Sequence, residues 1–149
     1  MTYKVLITAS GLGSRLGNLT KFTNKGLVRI GKKPALSYII ESYPDDVEFV
    51  VTLGHYGDQV EQFLNLAYPD KKITYVPVEN YDGEGSSLLY SMSLCKDELQ
   101  CPFILEGEKI DLKEGQLIMF MGHQYHEVSP SENKVDGRCV ISGNISYRG

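Results

Sequence analysis

The sequence lacks any apolar run of the roughly 18–20 residues that a membrane-spanning helix needs. The opening residues, MTYKVLITAS, hold an apolar stretch too short for a secretory signal, so we expect a cytoplasmic protein with no membrane partner. Only three cysteines occur, at positions 95, 101 and 139, and no two of them form a CxxC pair. That scarcity disfavours a disulfide framework and a zinc site, and it favours reduced structural thiols.

The sequence also has no excess of basic residues. It contains 15 Lys and Arg against 19 Asp and Glu, which gives a net charge of −4. We therefore expect no nucleic-acid partner, although a local basic site for a phosphorylated small molecule remains compatible with this balance. Internal repeats and low-complexity tracts are absent too. With 42% hydrophobic residues, the 149-residue chain fits one globular domain or two very small ones.

The first hundred residues alternate between short apolar runs and amphipathic segments. This alternation predicts an α/β fold, with a partial Rossmann-like, mostly parallel sheet and flanking helices. We expect strands at residues 3–9, 48–53, 72–78 and 101–105, a further short apolar run at 27–30, and helices at 35–43, 58–68 and 86–99. Ser86 or Ser87 is a good N-cap for the last helix, and Pro77 places the end of its strand at an edge of the sheet or outside it.

After about residue 105, glycines separate short apolar runs such as LIMFM and CVIS, and no segment has room for an amphipathic helix. This pattern predicts a short antiparallel β segment. We therefore divide the chain into an α/β domain at residues 1–105 and a β segment at residues 106–149. Open strand edges in so short a segment make a homo-oligomer plausible.

The main chemical signal follows the first predicted strand. Gly11 and Gly13 allow backbone N–H groups to approach a phosphate, Arg15 offers a forked donor, and Lys25 offers a point charge. The third glycine of GxGxxG and the GK[ST] ending of a Walker loop are both missing, so neither of those sites fits. A glycine-rich turn with surface cations remains the alternative interpretation.

A longer stretch, ITASGLGSRLGNLTKFTNKGLVRIGKKPALSYIIESYP, resembles the opening of the sugar-phosphate nucleotidyltransferases, in the nucleotide-diphospho-sugar transferase family. The resemblance continues through VVTLGHYGDQVEQFL and NYDGEGSSLLYSM, and it covers residues 3–105. The matching positions within the first stretch are Gly11, Gly13, Arg15, Thr20, Lys25, Gly26, Leu27, Gly31 and Pro34.

The resemblance implies that a phosphorylated sugar or alcohol attacks the α-phosphate of an NTP, with Mg²⁺ bridging the phosphates and pyrophosphate leaving. By the same resemblance, Arg15 would bind the β- and γ-phosphates, and Lys25 would neutralise the charge that develops at the α-phosphate. The residues implied to cradle the triphosphate or to lie near the base and ribose are Gly11, Leu12, Gly13, Ser14, Asn80, Gly85, Ser86 and Ser87. For Ser86 and Ser87, helix capping is an equally good explanation.

One departure concerns the metal. The family places a metal-binding Asp after the strand that here begins CPFIL, roughly where Glu106 or Glu108 stands, and the acceptor half that would follow is missing. The resemblance thus makes residues 1–105 an incomplete, nucleotidyltransferase-like nucleotide-binding domain. An active nucleotidyltransferase and a non-catalytic nucleotide-binding protein both remain open as interpretations.

The last forty residues resemble the final strands of the double-stranded β-helix in Fe(II)- and 2-oxoglutarate-dependent oxygenases. By that resemblance His126 would bind Fe(II) and Arg138 would hold a carboxylate of 2-oxoglutarate. The upstream His-x-Asp or His-x-Glu pair of such a site is absent from the sequence. The alternatives are an oxygenase fragment completed by a partner, or remnants that serve only the structure.

Overall fold

The structure is a computed structural model that describes residues 3–106. The main sheet contains β1 (Lys4–Thr8), β4 (Glu48–Leu53), β5 (Ile73–Pro77) and β6 (Phe103–Glu106). A hairpin between β1 and β4 is formed by β2 (Arg29–Ile30) and β3 (Lys33–Pro34). The α-helices are α1 (Ala35–Glu41), α2 (Gly57–Ala67) and α3 (Leu88–Leu94), and 3₁₀ turns occupy Ser14–Thr20 and Lys25–Leu27.

All pairings within the main sheet are parallel, and the strands lie in the order β5-β4-β1-β6. The chain builds outward from β1 through β4 to β5, and then crosses back to place β6 on the other side of β1. Open α/β sheets bind ligands at such a reversal, beyond the carboxyl ends of the strands. The predicted Rossmann-like parallel sheet with flanking helices is confirmed, and so is the edge position of the strand that ends at Pro77.

Alternate residues of the central strands supply two cores, as the twofold periodicity of a strand requires. Val5 and Ile7 face a large cluster that includes residues of α1 and α2, whereas Leu6 and Val50 face a smaller cluster with Cys95 and Phe103. The strands β1 and β4 are therefore covered on both sides. Their carboxyl ends provide a rigid base for the loops that follow them.

Several predicted elements differ from the structure by one or two residues at an end, and two differences have a clear physical reason. The run at residues 27–30 contributes only Arg29–Ile30 to a strand, because Lys25–Leu27 forms a 3₁₀ turn. The third helix ends at Leu94 instead of residue 99, since the chain tightens after Cys95 into turns such as the Cys95 O to Glu98 N hydrogen bond.

The predicted β segment at 106–149 meets the described residues only at Glu106, which is the last residue of β6. The proposed Fe(II) ligand His126 and carboxylate-binding Arg138 lie outside the described residues. Over residues 3–106, no helix has both the length and the apolar character needed to cross a membrane.

Candidate nucleotide-binding site

The glycine loop at the end of β1 is closely packed against Lys25. Gly13 has a φ of 65°, and a Cβ at this position would lie 2.8 Å from Cβ of Lys25. A Cβ on Gly11 would lie 3.7 Å from the Lys25 ammonium nitrogen. Glycine therefore serves both the left-handed turn and the close approach of the lysine side chain to the loop backbone.

A pocket opens beside this loop, over the carboxyl end of β1. It brings together four residues singled out from the sequence, Gly11, Lys25, Ser86 and Ser87, although they are up to 76 positions apart. The other lining residues are Thr8, Tyr81, Leu88 and Ser91. An ammonium group, several hydroxyls and one aromatic ring are the chemistry of a site for a phosphorylated, ring-bearing ligand.

Buried hydroxyl groups join the loop to α3 beneath the pocket. Thr52 Oγ1 accepts a hydrogen bond from the Ala9 amide at 3.0 Å and donates one to Ser10 Oγ at 3.2 Å. Ser10 Oγ lies 3.3 Å from Ser91 Oγ, which in turn donates to the Ser87 carbonyl at 3.2 Å. Because these groups are shielded from water, each hydrogen bond fixes its partners firmly. The chain of hydroxyls sets the position of α3 relative to β1.

The segment before α3 is held by its own side chains. Ser87 caps α3, accepting a hydrogen bond from the Tyr90 amide at 3.0 Å, so the predicted capping role is confirmed for this residue. Ser86 Oγ donates to the Gly83 carbonyl at 2.7 Å. Asn80 Nδ2 donates to the Glu84 carbonyl at 3.3 Å, beside Gly85, which has a φ of 81°. Asn80 and Gly85 thus shape the loop and do not line the pocket.

Arg15 does not line the pocket. It is exposed on the 3₁₀ segment Ser14–Thr20, together with Ser14, and is not among the side chains that line the pocket. Leu12 is half-buried in the loop, likewise outside the lining. The structure therefore places the two predicted cations, Lys25 and Arg15, in different surroundings.

Glu106, one of the two positions considered for the missing metal ligand, is completely buried. Its Oε1 accepts a hydrogen bond of 2.5 Å from the Tyr43 hydroxyl. Burial, reinforced by that carboxyl group, holds the pKa of Tyr43 well above its usual value. Glu108, the other position, lies outside the described residues.

The donors that line the pocket do not fit a protein-held Mg²⁺. None of the lining side chains within residues 3–106 is a carboxylate. No group of three or more potential metal ligands occurs in that part of the chain either. Magnesium prefers carboxylate and phosphate oxygens, and a lysine ammonium cannot replace them as a ligand.

Sequence reasoning missed five side chains of this region: Thr8, Tyr81, Leu88 and Ser91 in the lining, and the buried Asn24 next to Lys25. Ser91 could have been found, because it lies four residues after the Ser87 cap and so on the same face of the helix. Asn24 could also have been found, because asparagine is a preferred capping residue at the start of a helical turn. Thr8 could have been found as well, because it ends the strand that the glycine loop follows. Tyr81 was not predictable, since only the tertiary fold brings it to the loop.

The chain is similar in sequence to two curated proteins. It is 28% identical over 112 residues to choline-phosphate cytidylyltransferase of Streptococcus pneumoniae, a match over 70% of this chain. It is 30% identical over 110 residues to CMP-5'-(3-aminopropyl)phosphonate synthase of Streptomyces rubellomurinus, over 72% of this chain. The chain spans 44% of the first relative's length and 17% of the second's. No family model matches the sequence.

The fold is similar to that of a solved nucleotidyltransferase. CTP:phosphocholine cytidylyltransferase from Streptococcus pneumoniae superposes with a TM-score of 0.59 at 26% identity, covering 72% of this chain and 45% of that one. Residues in the N-terminal two-thirds thus resemble nucleotidyltransferases in both sequence and fold, as the motifs indicated. The comparisons give no support to the oxygenase resemblance of the C-terminal segment.

Proposed function

We propose that the pocket at the end of β1 binds a nucleoside triphosphate, and that Lys25 is its principal charged contact. The observation that carries this proposal is the packing of Lys25 against the glycine loop, where its ammonium nitrogen lies near Gly11 inside a hydroxyl-lined pocket. A half-buried ammonium beside a glycine loop attracts phosphate more strongly than a cation surrounded by water.

The other lining groups divide between the two ends of such a ligand. The backbone of residues 11–14 would cradle the phosphates, with Lys25 neutralising charge at the α-phosphate. Ser86, Ser87 and Tyr81 also line the pocket, where hydroxyls can contact a ribose and an aromatic ring can stack on a base. Arg15 would reach the outer phosphates from the adjoining loop.

We further propose nucleotidyl transfer to a phosphorylated alcohol as the reaction of the intact site. An oxygen of the acceptor phosphate would form a bond to the α-phosphorus while the bond to the pyrophosphate oxygen breaks, so pyrophosphate leaves. The relatives' names point to cytidylyl transfer first, and a sugar 1-phosphate or choline phosphate is the acceptor class to test. The chain spans less than half of either relative's length.

Other expectations from the sequence stay predictions. These are cytoplasmic location, homo-oligomers, and the Fe(II) and 2-oxoglutarate alternative at His126 and Arg138. Mg²⁺ is expected from the resemblance but has no carboxylate ligand in the described lining, so the need for it is an outcome of the experiment below.

Calorimetric titration of the full chain with CTP, UTP, GTP and ATP, each with and without Mg²⁺, tests the binding proposal. We expect saturable binding by the wild type and at least about a tenfold loss in Lys25→Ala, because a charge-assisted contact to phosphate disappears. Lys72→Ala is the matched control: it removes the same charge from an exposed residue that pairs with Glu48 at 3.6 Å, away from the pocket. Equal losses in both variants would contradict a specific role for Lys25.

A pyrophosphate-release assay with glucose 1-phosphate and choline phosphate tests transfer separately. Release with CTP that requires an acceptor supports a nucleotidyltransferase. Saturable nucleotide binding without release would instead identify a non-catalytic nucleotide-binding protein. If no nucleotide binds at all, the proposed function is wrong.

A further inference from the structure

We propose that Asn24 is the positioning residue of the nucleotide site, which fixes Lys25 against the glycine loop; this inference rests on the function proposed above. Asn24 is completely buried. Its side-chain nitrogen donates to the Ala9 carbonyl and to the His55 carbonyl, each at 2.7 Å. Its side-chain oxygen accepts a hydrogen bond of 2.8 Å from the Gly26 amide. One amide group therefore joins three separate segments of the chain.

Two of those segments follow strands of the main sheet, and the third carries Lys25, which lines the pocket. Ala9 directly follows β1, His55 lies just beyond β4, and Gly26 belongs to the turn that contains Lys25. The His55 amide also donates to the Ser10 carbonyl at 2.9 Å, so the first two loops contact each other directly. The Lys25 turn is joined to both of them by Asn24. An amide suits this position because it offers two donors and an acceptor on one short side chain.

Close packing makes the position of this turn critical for the pocket. The Asn24 carbonyl accepts from Leu27 N at 3.0 Å, so Asn24 begins the turn with its backbone as well as with its side chain. A Cβ on Gly26 would lie 2.7 Å from the Leu36 side chain, which leaves the turn little room on the α1 side. The turn lies between α1 and the glycine loop. The two hydrogen bonds that Asn24 donates therefore determine the position of the Lys25 backbone.

Asn24 contacts the pocket only through these backbone groups, and it is not itself among the lining residues. The route proposed for its effect on a ligand is Lys25, the next residue in the chain. This separates a positioning role from general support of the fold, and a double-mutant cycle can measure the difference.

The experiment compares CTP affinity in wild type, Asn24→Ala, Lys25→Ala and the double variant. We expect Asn24→Ala to weaken binding by about tenfold, and by less than about twofold once Lys25 is already alanine. Ile40→Val, which removes one buried methyl group from α1, is the control for lost stability and should leave CTP affinity unchanged. Additive losses in the cycle, or an equal loss in Ile40→Val, would overturn the proposal.

A second variant covers the case in which Asn24→Ala does not fold. Asn24→Ser keeps a hydroxyl that can cap the turn, but it is too short to reach both carbonyls. It should show the same coupling to Lys25. An affinity equal to that of wild type would show that the links to Ala9 and His55 do not position the lysine.

A measurement without ligand distinguishes failure of this inference from failure of the proposed function. In NMR spectra of the ligand-free protein, Asn24→Ser should shift the Gly11 amide and the side-chain signals of Lys25, whereas Ile40→Val should not. If wild type binds no nucleotide, the proposed function fails, yet these shifts would still show that Asn24 positions Lys25. Shifts confined to the backbone of residues 23–26, with the Gly11 amide and the Lys25 side chain unmoved, would overturn the inference whether or not CTP binds.

Discussion

The turn that carries Lys25 and the loop that carries Arg15 leave the same end of the sheet but are held in different ways. Lys25 is half-buried, and its turn is joined through Asn24 to the ends of two central strands. Arg15 is exposed, and its loop is held in part by the Thr20 hydroxyl, which donates to the carbonyls of Gly13 and Gly17 at 3.1 and 3.3 Å. Sequence spacing alone therefore does not show which of two cations binds a ligand more strongly, because burial and anchoring decide how much each contributes.

The largest loss of stability is expected from Gly13→Ala, at the contact between the Arg15 loop and the Lys25 turn. In Gly13→Ala, the new Cβ would meet Lys25 Cβ at 2.8 Å and the Thr20 methyl group at 3.0 Å, in a backbone conformation that disfavours alanine. We expect a loss of roughly 2–4 kcal/mol in the free energy of unfolding, from left-handed strain and overpacking together. Denaturant unfolding measures it, and nucleotide affinity should fall in parallel because Lys25 is displaced.

Gly83→Ala is the matched control for Gly13→Ala. Gly83 also has a positive φ, of 80°, but no atom lies within 4 Å of the position its Cβ would occupy. This variant should cost only the strain, about 1 kcal/mol, and leave Lys25 undisturbed. If the two variants lose equal stability, the close contact between the loop and the turn does not exist.

A smaller effect is expected from Thr20→Val, which keeps the side-chain shape and removes the hydroxyl. Two carbonyls of the Arg15 loop lose a buried donor, so we expect about 1 kcal/mol less stability. Amide hydrogen exchange should become faster across residues 14–20 and stay unchanged at Gly26, whose partner Asn24 is intact. Faster exchange at both places would show that the loop and the turn form one unit, contrary to the comparison.

The sheet and its order of elements could be predicted because their signals are local. Apolar runs such as KVLIT and EFVVTL are short, buried and separated by helical periodicity, and that combination favours a parallel sheet. The capping role of Ser87 was predictable for the same reason, since a cap depends on the next three residues. The early end of α3 was not, because the turns after Cys95 form where the chain returns toward β6.

The anchoring of the two cations could not be predicted from the sequence. Asn24 contacts carbonyls 15 and 31 positions away, and such contacts exist only once β1 and β4 lie side by side. The glycine motif pointed to Arg15 and Lys25 equally, because both stand at motif positions. The buried Glu106 shows the same limit: its position after a strand suggested a ligand, and its hydrogen bond to Tyr43 came only from tertiary packing.

The smallest effect is expected from Arg15→Ala. An exposed cation interacts through high-dielectric water, so its removal should weaken CTP binding by about two- to fivefold, against at least about tenfold for Lys25→Ala. Raising the salt concentration should reduce the Arg15 contribution further, because exposed charges are screened more than half-buried ones.

Arg29→Ala is the matched control: Arg29 is an exposed arginine on the β2–β3 hairpin, bonded to the Lys32 carbonyl at 2.6 Å, and its loss should leave affinity unchanged. Calorimetric titration at two salt concentrations measures all three variants. An Arg15→Ala loss as large as that of Lys25→Ala, and equally insensitive to salt, would mean that the ligand draws Arg15 into the pocket and that the two cations act as one clamp.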